Sequence, residues 1–436
     1  MQLASSKALI ALLFVCSTSS DFLPMAIAQN INSSEKIAQS ESFDALALES
    51  APVEKVGTTG NSKIFVEGAI GSSSRRIGLG GAENQRMALD ILYSGLIREG
   101  LRGVFSDRID ILHPAAFGSD VTVNSLREAY LSWQFNAEST NFDIGRINVR
   151  SGPGYGYNPT DFFRDGSLRV LTSADPFALR QNRIGSIMLR GQHLWDGGSV
   201  SLALSPKLAS RPNAGGWSLD LGATNNRNRS VVTLGTKYSQ SVSTQLLLYK
   251  DQGRSATIGA NMTALLSDAA VAHLEWTRGR EPDLRGRIFS SPSNVSTRNR
   301  FVGGVTYTTL SKTSVTGEYQ YNGFGIDQAD WNSLAGTPGA QLAYINGAVR
   351  LQELAPRQAV LVYVTQKDLL LKDLDLTAYV RYSPGDKSKL VWLELRRHWS
   401  DFDLTFQMQQ NIGRNNSEFG LLPDRRLIQL VGTYYF

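Results

Sequence analysis

Cysteine is nearly missing from this chain of 436 residues, with Cys16 the only one. It falls in a stretch that reads as a secretion signal: a weakly basic start to Lys7, an apolar run over 8–15, and the small-x-small residues Ala26-Ile27-Ala28. Cleavage after Ala28 would leave no thiol, which excludes a disulfide framework and a thiolate metal site. Proline is scarce, 14 against 40 glycines, a balance that suits strands joined by polar turns better than helices. No later run approaches the roughly 18 apolar residues that a transmembrane helix needs. Net charge is only +5, and basic residues are dispersed among acids without forming a tract, which disfavours nucleic acid as a partner.

What the chain does have is a two-residue period. Phe436, Tyr434, Gly432, Leu430 and Ile428 share one flank of the last segment, with Tyr435, Thr433, Val431 and Gln429 on the other. In 401–411, Phe402, Leu404, Phe406 and Met408 oppose Asp403, Thr405, Gln407, Gln409 and Asn411. The pattern places strands at 63–71, 85–96, 101–112, 125–136, 140–150, 182–194, 198–206, 229–239 and 242–251. It continues at 255–265, 268–279, 299–309, 313–323, 357–366, 372–382, 388–398, 401–411 and 426–436. Many run to about ten residues, the length a tilted strand needs to cross a bilayer, and longer than the five or six usual in soluble sheets. Aromatic residues such as Trp133, Phe135, Tyr307, Tyr321, Tyr382 and Trp399 mark their ends.

Connection lengths give a second test. The gaps 72–84, 113–124, 151–181, 280–298, 324–356 and 412–425 are long, whereas 97–100, 137–139, 195–197, 310–312, 367–371 and 399–400 are short. Long outer loops must alternate with short inner turns in a membrane barrel. The two series meet in phase only if 207–228 is one outer loop, despite the strand-like run from Trp217 to Gly222. The expectation is an all-β fold: a single antiparallel transmembrane β-barrel of eighteen strands, with sixteen and twenty as neighbouring counts. Residues 1–28 form a signal peptide, 29–62 a flexible periplasmic leader and 63–436 the barrel. A short helix is expected inside the loop 324–356, over 341–354.

One segment breaks the regular pattern. Gly145-Arg146 leads through a glycine-rich stretch to Asn158-Pro159-Thr160-Asp161-Phe162-Phe163-Arg164. Glycines 152, 154 and 156 look like a phosphate loop, but no βα unit follows and proline interrupts them. Asn158 to Asp161 also reads as a plain turn, since Asn and Asp bond their own backbone and Pro fixes φ. These residues, with Ser417-Glu418-Phe419-Gly420 before the last strand, resemble a group of poorly characterised, porin-like outer-membrane barrels. The terminal aromatic strand is similar to that of bacterial outer-membrane proteins. The resemblance implies the bacterial outer membrane as location, and Tyr434 and Phe436 as a signal to the barrel-assembly machinery. The other implied partners are membrane lipid and lipopolysaccharide.

Charged residues cannot face lipid at mid-depth without a cost of about 2–4 kcal/mol, so the arginines here should point into the lumen or to the rim. Arg146, Arg150, Arg190, Arg164 and Arg183 are the pore-lining candidates, with Glu128 and Asp161 as acidic partners. Tyr155, Tyr157, Phe162 and Phe163 offer rings on which a solute can stack, or a packed loop interior. A basic lumen concentrates anions. The function expected is a porin-like channel for small hydrophilic solutes, preferring anions, with loop 151–181 narrowing the lumen. A closed or plugged adhesive barrel is the second reading.

A hydrolase is the third class weighed. His113, His193, His273 and His398 have no serine elbow, His-x-x-x-His pair or carboxylate cluster beside them, so no enzyme activity, cofactor or metal is expected. His193 and His273 share strand faces with Leu189 and Val271 and are placed at the lipid boundary or near strand ends.

Overall fold

The computed structural model describes residues 61–76, 81–114, 120–135, 139–290 and 294–436. The expected signal peptide and nearly all of the expected leader lie outside the described residues. The first nine strands are β1 (Asn61–Arg75), β2 (Ala82–Arg98), β3 (Leu101–His113), β4 (Thr122–Phe135), β5 (Thr140–Ile147), β6 (Ser186–Trp195), β7 (Gly198–Ser205), β8 (Arg229–Ser239) and β9 (Val242–Asp251). The second nine are β10 (Thr257–Ser267), β11 (Ala270–Pro282), β12 (Val295–Thr308), β13 (Thr313–Asn322), β14 (Gln358–Gln366), β15 (Leu374–Ser383), β16 (Ser388–His398), β17 (Phe402–Ile412) and β18 (Asp424–Tyr435). Among the described residues, five short helices sit in outer loops: α1 (Pro176–Gln181), α2 (Leu221–Thr224), α3 (Leu284–Phe289), α4 (Gln328–Leu334) and α5 (Ala340–Leu351).

Each strand runs antiparallel to its neighbours in the chain. β1 also pairs with β18, from Phe65↔Tyr435 through Gly68↔Gly432 to Arg75↔Asp424, so the 18-stranded sheet closes on itself. Closure gives every described strand a partner on both sides, which is what a sheet needs where no water can satisfy N–H and C=O groups.

The burial pattern is inverted relative to a water-soluble sheet. On β9, Gln245, Leu247 and Tyr249 are buried, whereas Leu246 is 59% and Leu248 50% exposed. Glu275, Gln320, Asn261 and Thr263 are among the least exposed residues of the molecule, while Leu189, Leu202, Leu204, Val232 and Leu234 stand outside. An apolar exterior over a polar interior makes sense only if lipid lies outside and water within.

Buried apolar cores also exist, but inside the barrel and under the long loops. Leu284, Ile326, Trp331, Leu334, Tyr344 and Ile345 form one around α3, α4 and α5. Leu361, Tyr363, Tyr379, Trp392 and Phe419 form another against β14–β16, and Ile147, Phe163, Met188, Val231 and Tyr249 a third.

All eighteen expected strands form, in order, and the helix expected within 341–354 is α5. Residues 217–222 stay out of the wall, as the turn phase required. Asp220 takes a left-handed φ of +45° that ends any extended run there. Strand β6 begins at Ser186 instead of 182, because Ile184 donates its N–H to the Ser167 carbonyl and Gly185 its own to Arg127, both away from the β5 edge.

Candidate functional site

The connection from β5 to β6, residues 148–185, crosses from its own wall to strands far round the barrel. Its backbone is received by two carboxylates. Glu275 on β11 accepts the Gly154 N–H at 2.6 Å, the Asn158 amide at 2.9 Å and the Thr160 hydroxyl at 2.9 Å. Glu318 on β13 accepts the N–H groups of Tyr155 at 2.5 Å and Gly156 at 3.0 Å, and is held by His273 Nε2 at 2.8 Å. Such close approach explains the glycines. Gly152 has φ +88°, and a Cβ there would sit 2.3 Å from the Glu275 carboxylate; a Cβ on Gly156 would meet the Gln320 amide at 2.5 Å.

Aromatic residues carry the contact across the wall. The Tyr155 ring packs edge-on against Phe177 at 5.0 Å and Tyr363 at 5.5 Å, and lies over His273 at 5.8 Å. Tyr363, Tyr379 and Trp392 continue the stack over β14–β16 at 6.0 and 5.6 Å. Tyr379 donates its hydroxyl to the Ala174 carbonyl at 2.7 Å. Asp175 caps α1 by accepting from Ala178 N–H at 3.1 Å, and takes the Tyr363 hydroxyl at 3.1 Å. Burial pushes the Asp175 carboxyl up to about 6.

Beyond the turn at Asn158–Asp161, closed by the Asp161 N–H on the Asn158 carbonyl at 3.2 Å, the loop meets its counterpart 323–357. Glu353 of that second loop is bonded by Arg164 at 3.0 Å, Arg287 at 3.0 Å and Arg300 at 3.1 Å, and accepts the Tyr157 hydroxyl at 2.7 Å. Asp165 pairs with Arg227 at 3.0 Å and Arg287 at 3.1 Å. Burial alone would raise both carboxyls. The surrounding guanidiniums outweigh it, bringing Glu353 down to about 2 and holding Asp165 well below the usual carboxylate range. Buried charges on this scale are tolerated only because each has a partner.

The expected lumen residues separate into two groups. On the β5–β6 wall, Arg146 is buried and donates to the carbonyls of Leu126 at 3.1 Å and Leu219 at 2.5 Å. Arg190 pairs with Asp143, its register partner, at 2.6 Å. Glu128 accepts the Asn148 N–H at 3.1 Å. Arg150 is exposed at the start of the loop and has no ion pair among the described residues.

In the loop, Arg183 holds Asp161 at 2.5 Å, and Arg164 reaches Glu353. Phe162 stacks on Tyr249 at 4.4 Å and Phe163 lies under the Arg229 guanidinium at 4.7 Å. Tyr155, Tyr157, Phe162 and Phe163 are therefore all engaged in packing. Tyr434 and Phe436 end the closing strand, where the Phe436 N–H bonds the Ile64 carbonyl at 3.0 Å.

Sequence reading missed Glu275, Glu318 and Glu353, the acids that anchor the loops. Alternation could have found Glu275, which shares its β11 face with His273 and Thr277. The same alternation corrects one of the two placements expected for His273: it is not at the lipid boundary but buried in the lumen at 5% exposure, near the start of β11, its polar neighbours outweighing Val271. Also missed was a balanced charge wall on β1–β4, where Arg108 pairs with Glu67 at 3.0 Å, Asp90 at 3.3 Å and Asp110 at 3.1 Å. Arg127 pairs with Asp90 and Arg86 with Glu67 on the same wall.

A closed, inside-out antiparallel barrel with long loops at one end and short turns at the other is the architecture of a porin-like bacterial outer-membrane protein. No protein-family model matches the chain, and no curated protein sequence does. Among solved structures, OccAB1 of Acinetobacter baumannii is similar in fold, with a TM-score of 0.53 at 11% identity over 89% of this chain and 99% of that one. A mutant porin of Rhodopseudomonas blastica aligns over 87% of this chain and 100% of its own, at 10% identity and a TM-score of 0.43.

Proposed function

We propose that this chain is an outer-membrane channel that passes small hydrophilic solutes, with the loop 151–181 narrowing its lumen. The observation that carries the reading is the anchoring of Gly154 and its neighbours on Glu275 and Glu318, on strands well away from the loop's own wall. A loop held that way leaves a restricted aqueous path instead of an open hole.

The path prefers anions. Acids cancel the arginines of the β1–β4 wall, whereas Arg150 is exposed and has no ion pair among the described residues. Its charge acts on passing ions at short range. The test is reversal potential in planar bilayers under a salt gradient. Arg150→Glu should move it toward cations, and an unchanged potential removes Arg150 from the role.

A plugged adhesive barrel is the second reading, favoured by the packing of Phe162 on Tyr249 and of Tyr157 on Glu353. Bilayers that stay silent with folded protein would establish it over the channel. Hydrolysis has less support: His398 is bonded to Asp403 at 2.9 Å and lies 3.6 Å from Asp375, carboxylates that offer it no nucleophile. Assembly through Tyr434 and Phe436, export by way of residues 1–28, and contact with lipopolysaccharide belong to the same proposal.

A further inference from the structure

The wall is lowest where β5 and β7 have only 8 residues each, against 17 in β2. There the ladder between β6 and β7 runs only from Trp195↔Gly198 to Leu189↔Leu204. Beyond it Pro206 can donate no hydrogen bond, and one side chain takes the ladder's place. Asn225, fully buried, accepts the Ile187 N–H at 2.9 Å. Its amide donates to the Ile187 carbonyl at 2.9 Å, the Ser205 hydroxyl at 3.0 Å and the Pro206 carbonyl at 3.0 Å.

Outside this seam lies a groove of about 610 Å³. Strand register explains it. Ile144, Leu189, Leu204, Ser230 and Lys250 are consecutive partners across β5–β9, so they form one row around the exterior. Four positions of that row are large, and Ser230 is the gap between Leu204 and the lysine. The row below, Leu202, Val232 and Leu248, is wholly apolar. Lys250 is exposed at the outer end of β9, where it lines the groove and donates to the Arg254 carbonyl, and Lys207 is exposed beside Pro206. A cation thus borders an apolar notch that is continuous with the lipid-facing band.

We propose that this groove binds one acyl chain of a phosphorylated glycolipid of the outer leaflet, with a phosphate paired to Lys250. The assignment rests on the outer-membrane reading above and names the lipid partner at a particular place. Charge complementarity selects a phosphorylated lipid: the Lys250 ammonium pairs with a headgroup phosphate while the notch takes the methylenes of one chain out of water.

The test uses the full folded chain in detergent, titrated with diphosphoryl lipid A and, separately, with phosphatidylcholine, and read by native mass spectrometry. One retained lipid A per barrel is expected. Lys250→Glu should lower its retention roughly tenfold, from the charge reversal, and Ser230→Phe, which fills the gap, should abolish it. Migration of the unheated, folded band confirms that both variants form barrels. Equal retention of phosphatidylcholine, or unchanged retention in both variants, overturns the proposal. So does a change of oligomeric mass in Ser230→Phe with lipid retention intact, which would assign the groove to a second copy of the chain. Conductance measured on the same samples keeps the outcomes apart, since neither variant touches the lumen path.

Discussion

Glu275 accepts the backbone N–H of Gly154 at 2.6 Å, although 121 residues separate them. That bond, with those to Asn158 and Thr160, fixes the strap across the barrel. Charge-assisted hydrogen bonds of this kind contribute about 1.5–3 kcal/mol each. Glu275→Ala should therefore free the strap and raise single-channel conductance, with noisier open currents. Glu275→Gln keeps one acceptor oxygen and should fall between. Wild-type conductance in Glu275→Ala would separate the anchoring from the constriction.

Gly152 gives the same test from the loop's side. Its φ of +88° and the 2.3 Å approach of a Cβ to the Glu275 carboxylate mean that Gly152→Ala must displace one or the other. Its conductance is expected to match that of Glu275→Ala, and the double variant should add little, because both act on one contact. Full additivity in that cycle would show two independent tethers.

The strap's pH response has a definite sign. Asp175, raised to about 6 by burial, binds a proton in the docked loop where a free carboxyl at about 3.9 has lost it, so acidification from pH 6 toward 4 favours docking. Glu353 lies at about 2, and Asp165 too is held well below the usual carboxylate range by its guanidinium partners. The stability they contribute is complete above the free carboxyl value of about 4.3 and is lost as pH falls below it. Conductance should hold steady from pH 7 to about 4.5 and rise below that. Glu353→Gln, which leaves Arg164, Arg287 and Arg300 without their common partner, should bring the open state to neutral pH. A conductance–pH curve on both proteins checks this.

The barrel was legible because its two solvents alternate along every strand. Asp403, Thr405 and Gln407 had to face water and Phe402, Leu404 and Phe406 lipid, and turn phase then excluded the run at 217–222. The loop motif was visible as a departure from that pattern, but its destination was not. Which acid Arg183 or Arg190 would find depends on how the loop folds and on cross-strand register, and local spacing carries neither: Arg183 found Asp161 and Arg190 found Asp143. The anchoring acids escaped notice for the same reason. Glu275 and Glu318 look like ordinary lumen residues until a glycine backbone from far up the chain is laid on them. His273 shows the opposite error, a single apolar neighbour given more weight than two polar ones.

Asn225 supplies the last prediction. Its side chain serves both backbone groups of Ile187 where β6 is paired with β5 but has no partner on its β7 side, and nothing else among the described residues is bonded to them from there. Asn225→Leu keeps the volume and leaves that N–H and C=O unpaired, at about 1–3 kcal/mol for each group. The barrel should then unfold at lower urea, read from loss of the fast-migrating folded band. Asn225→Asp retains the acceptor for the Ile187 N–H but loses the donor to the Ile187 and Pro206 carbonyls, so its midpoint should lie between the other two. If Asn225→Leu unfolds with the wild type, lipid or water already satisfies the seam, and the amide is not what holds β6 and β7 together above Leu189.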